Sequence, residues 1–138
     1  MIEGWHHKEY VILFDKEEVA TVSQRYGIAD SLPGFEILGL LGWDDFIVRD
    51  QMGHDFTVPT IPVDSAHLRP YRALAPGIVL TPDNRFGGKI KWYIKPVALG
   101  GDPESGENVI WVDHGQHAEL VRWWNNLYRS LAGAKSGG

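Results

Sequence analysis

This chain of 138 residues contains no cysteine. Disulfide staples, thiolate nucleophiles and cysteine-held metals are therefore excluded. A cysteine-free composition also suits a reducing compartment. Positive charge is in short supply too, with 13 Lys and Arg against 18 Asp and Glu and a net charge of −5. Nonspecific binding to nucleic acid or to an anionic membrane needs a basic surface, so neither is expected as a partner. Long apolar runs are missing. The early run Tyr10 to Phe14 is far shorter than the roughly 20 residues that span a bilayer. The start, Met1-Ile2-Glu3-Gly4-Trp5-His6-His7, has neither the basic opening nor the apolar stretch of a signal peptide, which makes the cytoplasm the expected compartment.

Catalytic motifs are also lacking. None of the serines Ser23, Ser31, Ser65, Ser105, Ser130 and Ser136 lies in a Gly-x-Ser-x-Gly turn. Gly100-Gly101-Asp102-Pro103 is glycine-rich, yet it lacks the Gly-Lys-Ser/Thr ending of a phosphate loop. Gly87-Gly88-Lys89 precedes a strand, whereas anion binding by backbone N–H groups uses a helix start. No catalytic residue, cofactor or resident metal is assigned from the sequence.

What is present reads as one ordinary globular domain, residues 1–132, followed by a small, polar tail, residues 133–138, expected to be flexible. The pattern is mixed α and β. Tyr10–Phe14 reads as a buried strand. Asp15 with Glu18 forms a capping-box pattern for a helix that presents Val19, Val22 and Tyr26 and stops at Gly27. Phe35–Leu41 and Asp45–Asp50 read as strands, and Phe56–Val58 returns from a turn at 51–55 as a hairpin. Asp64–Leu68 is expected as one helical turn, and Ile78–Leu80 as a short strand. Lys89–Val97 alternates, with Ile90, Trp92 and Ile94 on one side and Lys89, Lys91, Tyr93 and Lys95 on the other. Asn108–Val112 is a last strand. Asp113 and Gln116 cap a final helix that runs to about Leu131 and is expected to bury Leu120, Trp124, Leu127 and Leu131. The expected fold is α+β: a central antiparallel sheet that includes 45–50, 56–58, 89–97 and 108–112, flanked by an N-terminal and a C-terminal helix.

Candidate chemistry is weighed against plainer roles. His114 and His117 have a helical spacing that can serve a metal, although no His-Glu-x-x-His pattern surrounds them, and His114 lies in the first helical turn, where many polar residues sit in solvent. His6-His7 is placed at a mobile terminus. Asp44-Asp45 are adjacent, so on a strand they point to opposite faces and do not converge on one ligand; a turn or strand start in which one carboxylate caps backbone N–H groups is the plainer role. The stripe Lys89, Lys91, Tyr93 and Lys95 is either the solvated face of a strand or a docking face for an acidic patch on a partner. Of the 6 tryptophans, Trp92, Trp111 and Trp124 fall at expected core positions, while Trp43, Trp123 and Trp5 are less clearly placed.

Tyr26-Gly27-Ile28, then Leu32-Pro33-Gly34-Phe35, then Gly42-Trp43-Asp44-Asp45 and the closing Ile110-Trp111-Val112-Asp113-His114 resemble the SUKH superfamily of cell-wall-assembly-regulator-like and bacterial toxin-immunity proteins. The chain departs from that pattern where Glu36–Leu40 reads as strand and no Asn-Gly-Gly follows. The resemblance implies an α+β domain whose sheet surface binds and neutralises a toxin or another protein. The expected function is thus a non-enzymatic, cytoplasmic protein-binding domain of immunity-protein type, contacting its partner through Lys89, Lys91, Tyr93, Lys95, Trp43 and Asp44. The alternative is a small hydrolase or metal-dependent enzyme built on His114, His117 and the Asp44-Asp45 region.

Overall fold

Apolar residues recur across neighbouring strands, and that recurrence organises the molecule. The computed structural model describes residues 1–72 and 79–136, with side chains described through Ala132. Six strands form an antiparallel sheet in chain order: β1 (Ile2–His6), β2 (Glu9–Leu13), β3 (Glu36–Leu41), β4 (Asp45–Arg49), β5 (Asp55–Pro59) and β6 (Arg69–Pro70). Ile12 pairs with Leu40, Leu40 with Phe46, and Phe46 with Val58. Each of the four is almost wholly buried, so one row of side chains across four strands defines the core face. A bulge between Ile37 and Gly39 lets Ile37 and Leu40 share that face although they are three apart. Gly39 is required there, because a Cβ would collide with the Ile12 carbonyl.

Two helices contribute residues to the same buried core. Helix α1 (Val19–Tyr26) buries Val19, Ser23 and Tyr26, and Gly27 ends it in the left-handed region at φ 68°. Glu18 Oε1 accepts from the Asp15 amide, so the expected reciprocal bond forms one turn ahead of the helix proper. Ser23 Oγ accepts from the Ile37 amide and ties α1 to β3. Helix α2 (His114–Ser136) begins with the expected box: Asp113 Oδ1 accepts from the Gln116 amide, and Gln116 Oε1 accepts from the Asp113 amide. The β4–β5 hairpin and its turn at Asp50–His54 are also as expected, with Asp50 Oδ1 accepting from the Met52 and His54 amides. Arg49 clasps Asp55 across the hairpin base.

Several expectations need correction. The strands at 89–97 and 108–112 do not join the main sheet. β7 (Ile90–Tyr93) and β8 (Val109–Val112) form a separate two-stranded sheet. β7 ends at Tyr93, because Ile94 turns into a loop where Pro96 follows, and Ile94 is half exposed. Trp111 is 41% exposed instead of core. The N-terminal residues through His6 are a paired strand, where a mobile end was expected. On α2 the buried positions are His117, Ala118, Val121 and Asn125; Leu131 is exposed, and Leu120, Trp124 and Leu127 are only half-buried. The helix also continues past Leu131 to Ser136. Residues 137 and 138 of the expected tail, and Ile78 of the expected strand at 78–80, lie outside the described residues. Among the described residues, no helix is long and apolar enough to cross a membrane.

Candidate functional site

The site grows from a tight turn. Gly42, Trp43 and Asp44 join β3 to β4, with φ of 62° at Gly42 and 63° at Trp43. A tryptophan in the left-handed region is strained and persists only where its surroundings over-determine it. Here they do. The Trp43 ring stacks on Tyr10 at 4.8 Å and meets Phe86 at 5.3 Å and Trp111 at 5.2 Å, while Trp5 lies at 6.0 Å. Trp5 and Tyr10 belong to the six-stranded sheet and Trp111 to the two-stranded one, so this aromatic cluster joins the two sheets. The turn backbone is anchored as well: Gly42 N–H donates to the Tyr10 carbonyl at 2.7 Å, and Thr60 N–H donates to the Asp44 carbonyl at 2.9 Å.

Between this turn, the end of β5 and β7 lies a cavity of about 330 Å³. One wall carries Trp43, Asp44, Asp45, Pro59, Thr60 and Ile61. The other carries Lys91, Trp92 and Tyr93, then Pro96, Val97 and Ala98 of the following loop, with Pro103. This volume is at the small end of pockets that bury a ligand, and its mix of aromatic surface with a few charged groups is the usual lining of one. The loop wall is held by Asn108. Its Oδ1 accepts from the Lys95 amide, and its Nδ2 donates to the Lys95 and Asp102 carbonyls.

Four of the six residues expected to contact a partner line this cavity: Trp43, Asp44, Lys91 and Tyr93. Lys91 and Tyr93 share a face, as their spacing requires, and the Lys91 ammonium lies 5.2 Å from the Tyr93 ring centroid. Lys89 and Lys95 are exposed and stand outside the lining, before and after β7. The expectation that Asp44 and Asp45 cannot converge needs amendment. Asp44 sits in the turn, off the strand, so alternation does not govern the pair, and both residues line the cavity. Sequence reasoning passed over Thr60, Ile61 and the 96–98 segment. The only signal was the clustering of Pro59, Pro62, Pro96 and Pro103 beside strands.

Electrostatics differ along the cavity. Asp44 is on the rim and open to water, yet its carboxyl faces enough protein that desolvation pushes its pKa up; Lys91 offsets part of this and Asp45 adds to it. Asp45 is also held up by burial, with Arg69 opposing and Glu9 reinforcing. The histidines form a different environment. His117 is fully buried, its Nδ1 2.6 Å from Tyr26 Oη and its ring at 5.3 Å from Trp92. Burial, with His114 adding to it, lowers its pKa to about 3. His114 is half-buried, and desolvation lowers its pKa as well. Neither histidine lines the cavity, and among the described residues no group of three or more His, Cys, Asp or Glu is placed to hold a metal. His114, His117, Asp44 and Asp45 are therefore not assembled into one site.

Comparison with protein-family models, curated proteins and solved structures found no match for this chain.

Proposed function

We propose that this chain is a non-enzymatic binding domain that grips another protein at the cavity between the β3–β4 turn and β7. One observation carries the reading: Trp43, Asp44, Lys91 and Tyr93, drawn from two distant stretches of sequence, line a single cavity. Val97 in the lining is partly exposed, as are Ile94 after β7 and Ile110 and Trp111, which pair with the lining residues Trp92 and Lys91. Interfaces concentrate their energy in this way, with aromatic anchors and a pocket ringed by weaker contacts. The site is built on paired strands and a turn whose Trp43 is braced by four other aromatic rings, so little ordering is left to be done on binding. Under the SUKH resemblance carried by Tyr26-Gly27-Ile28 and Leu32-Pro33-Gly34-Phe35, the sheet is SUKH-like and flanked by α1 and α2, the partner is a toxin domain, and the complex forms in the cytoplasm.

The test is a quantitative pull-down and titration against the purified product of the neighbouring gene. Wild type should bind, and the Tyr93→Ala/Trp111→Ala variant should bind at least about tenfold more weakly, since each truncated anchor costs about 1 kcal/mol or more. Circular dichroism and melting confirm that the variant is folded. Failure of wild type to bind, or equal binding by the variant, would overturn the reading.

A further inference from the structure

The charges in the cavity differ from those of a simple lysine stripe. Two carboxylates, Asp44 and Asp45, share the lining with one ammonium, Lys91. The Lys91 ammonium is already engaged, lying over the Tyr93 ring and offsetting part of the upward shift at Asp44. Arg69 opposes Asp45 from outside the lining, and Glu9 cancels part of that. An incoming anion would meet one committed ammonium and two like charges. An incoming cation would meet two carboxylates against that one ammonium, with the aromatic side chains of Trp43 and Tyr93 in the same lining. Pro59, Pro96 and Val97 add apolar wall that suits a methylene stem.

We propose that the cavity seats the cationic end of a flexible aliphatic side chain, a lysine or arginine projected by the bound protein. The protein origin of that side chain rests on the function proposed above; the preference for an alkylammonium or guanidinium group does not. The proposal also divides the surface: exposed Lys89 and Lys95 remain available to acidic groups, while the pocket itself takes the opposite sign.

Four probes test this by NMR titration of the labelled protein: Nα-acetyl-lysine methylamide, its arginine counterpart, the Nε-acetylated lysine analogue, and Nα-acetyl-glutamate methylamide. The two cationic probes should shift the amides of Trp43 and Asp44 and the ring signals of Tyr93, with millimolar affinity given their few heavy atoms. The neutral and anionic probes should bind about tenfold more weakly or not at all. Asp44→Asn should weaken the lysine probe, whereas Lys91→Met should strengthen it by removing the competing ammonium. Stronger binding of the glutamate probe, equal binding of the neutral analogue, or weaker lysine binding by Lys91→Met would overturn the proposal. The two readings fail separately. Cationic probes that bind a protein with no macromolecular partner leave the subsite standing. A captured partner that the lysine probe cannot displace removes the subsite and leaves the interface.

Discussion

Tyr26 and His117 lie 91 residues apart in sequence and meet in the core at 2.6 Å, phenol oxygen to Nδ1. Each alone is an awkward core residue. Together they satisfy one polar atom each, and their rings pack edge to face at 5.4 Å while Tyr26 also packs on Phe46. Burial raises the Tyr26 pKa, so the phenol stays protonated and shares one hydrogen bond with the neutral imidazole. The other ring nitrogen, Nε2, has no hydrogen-bond partner among the described residues. Tyr26→Phe keeps the ring and strands Nδ1. It should cost about 1–3 kcal/mol, the penalty for a buried polar atom left unpaired. Urea unfolding measures this, and an unchanged midpoint would show that the bond contributes nothing to stability.

The same pair sets a pH dependence. The folded His117 has a pKa near 3 against an ordinary 6.5, so between these values the unfolded chain binds a proton that the native state refuses. Stability must then rise with pH across that window and fall as pH drops below 6.5, by at most about 1.4 kcal/mol per pH unit for one such group. His114, also lowered, acts in the same direction. Asp44 and Asp45 are raised and act in the opposite direction. The melting temperature of wild type should fall from pH 7 to 5. His117→Gln should show a shallower fall, whatever its absolute stability. Parallel slopes would assign the effect to other groups.

His117 also shows where the sequence stopped being legible. Signals confined to a few neighbouring residues were readable: the Asp113–Gln116 box, the Gly27 stop, the 51–55 turn, and the alternation that puts Lys91 beside Tyr93. The phase of α2 was not. Reading apolar residues inward selects Leu120, Trp124, Leu127 and Leu131, whereas the helix turns His117 and Asn125 inward. Polar residues go inside only when distant partners satisfy them. Asn125 donates to the Thr60 carbonyl 65 residues away and accepts from the Val63 amide 62 away. Periodicity carries no record of such partners. The cavity was half legible for the same reason: its residue types stood out singly, and only the fold brings the 43–45 turn against β7.

The corrected phase makes a prediction of its own. Val121 is 1% exposed beside Ala118, while Leu131 is 46% exposed near the described end of α2. Val121→Ala removes two buried methyl groups and should cost about 2 kcal/mol once the residual cavity is included. Leu131→Ala, on the surface, should stay within about 0.5 kcal/mol of wild type. Comparable losses in both variants, read from chemical denaturation, would return Leu131 to the packed face.

The cavity wall is predicted to depend on one side chain. Asn108 holds the loop after β7 by three hydrogen bonds, two to the backbone of Lys95 and one to the Asp102 carbonyl. Inside that loop, Leu99 and Gly101 donate to the Pro96 carbonyl. Gly101 packs so closely on the Lys95 carbonyl that a Cβ would overlap it, and Asn108 Nδ2 lies 3.0 Å from the same position. Asn108→Ala therefore removes a clasp at a solvent-accessible place. The global cost should be small, about 1 kcal/mol, because water replaces the lost partners. Local protection should suffer more: amide exchange at Leu99 and Gly101 should accelerate by about tenfold or more as the loop opens independently of the core. Exchange at Val121 and Asn125 should not change beyond that small global loss. Gly101→Ala should reach the same state by a different route, pushing the loop off where Asn108→Ala releases it. Unchanged exchange at Leu99 and Gly101 in both variants would mean that the loop is held by something other than Asn108, and that the cavity wall does not depend on this clasp.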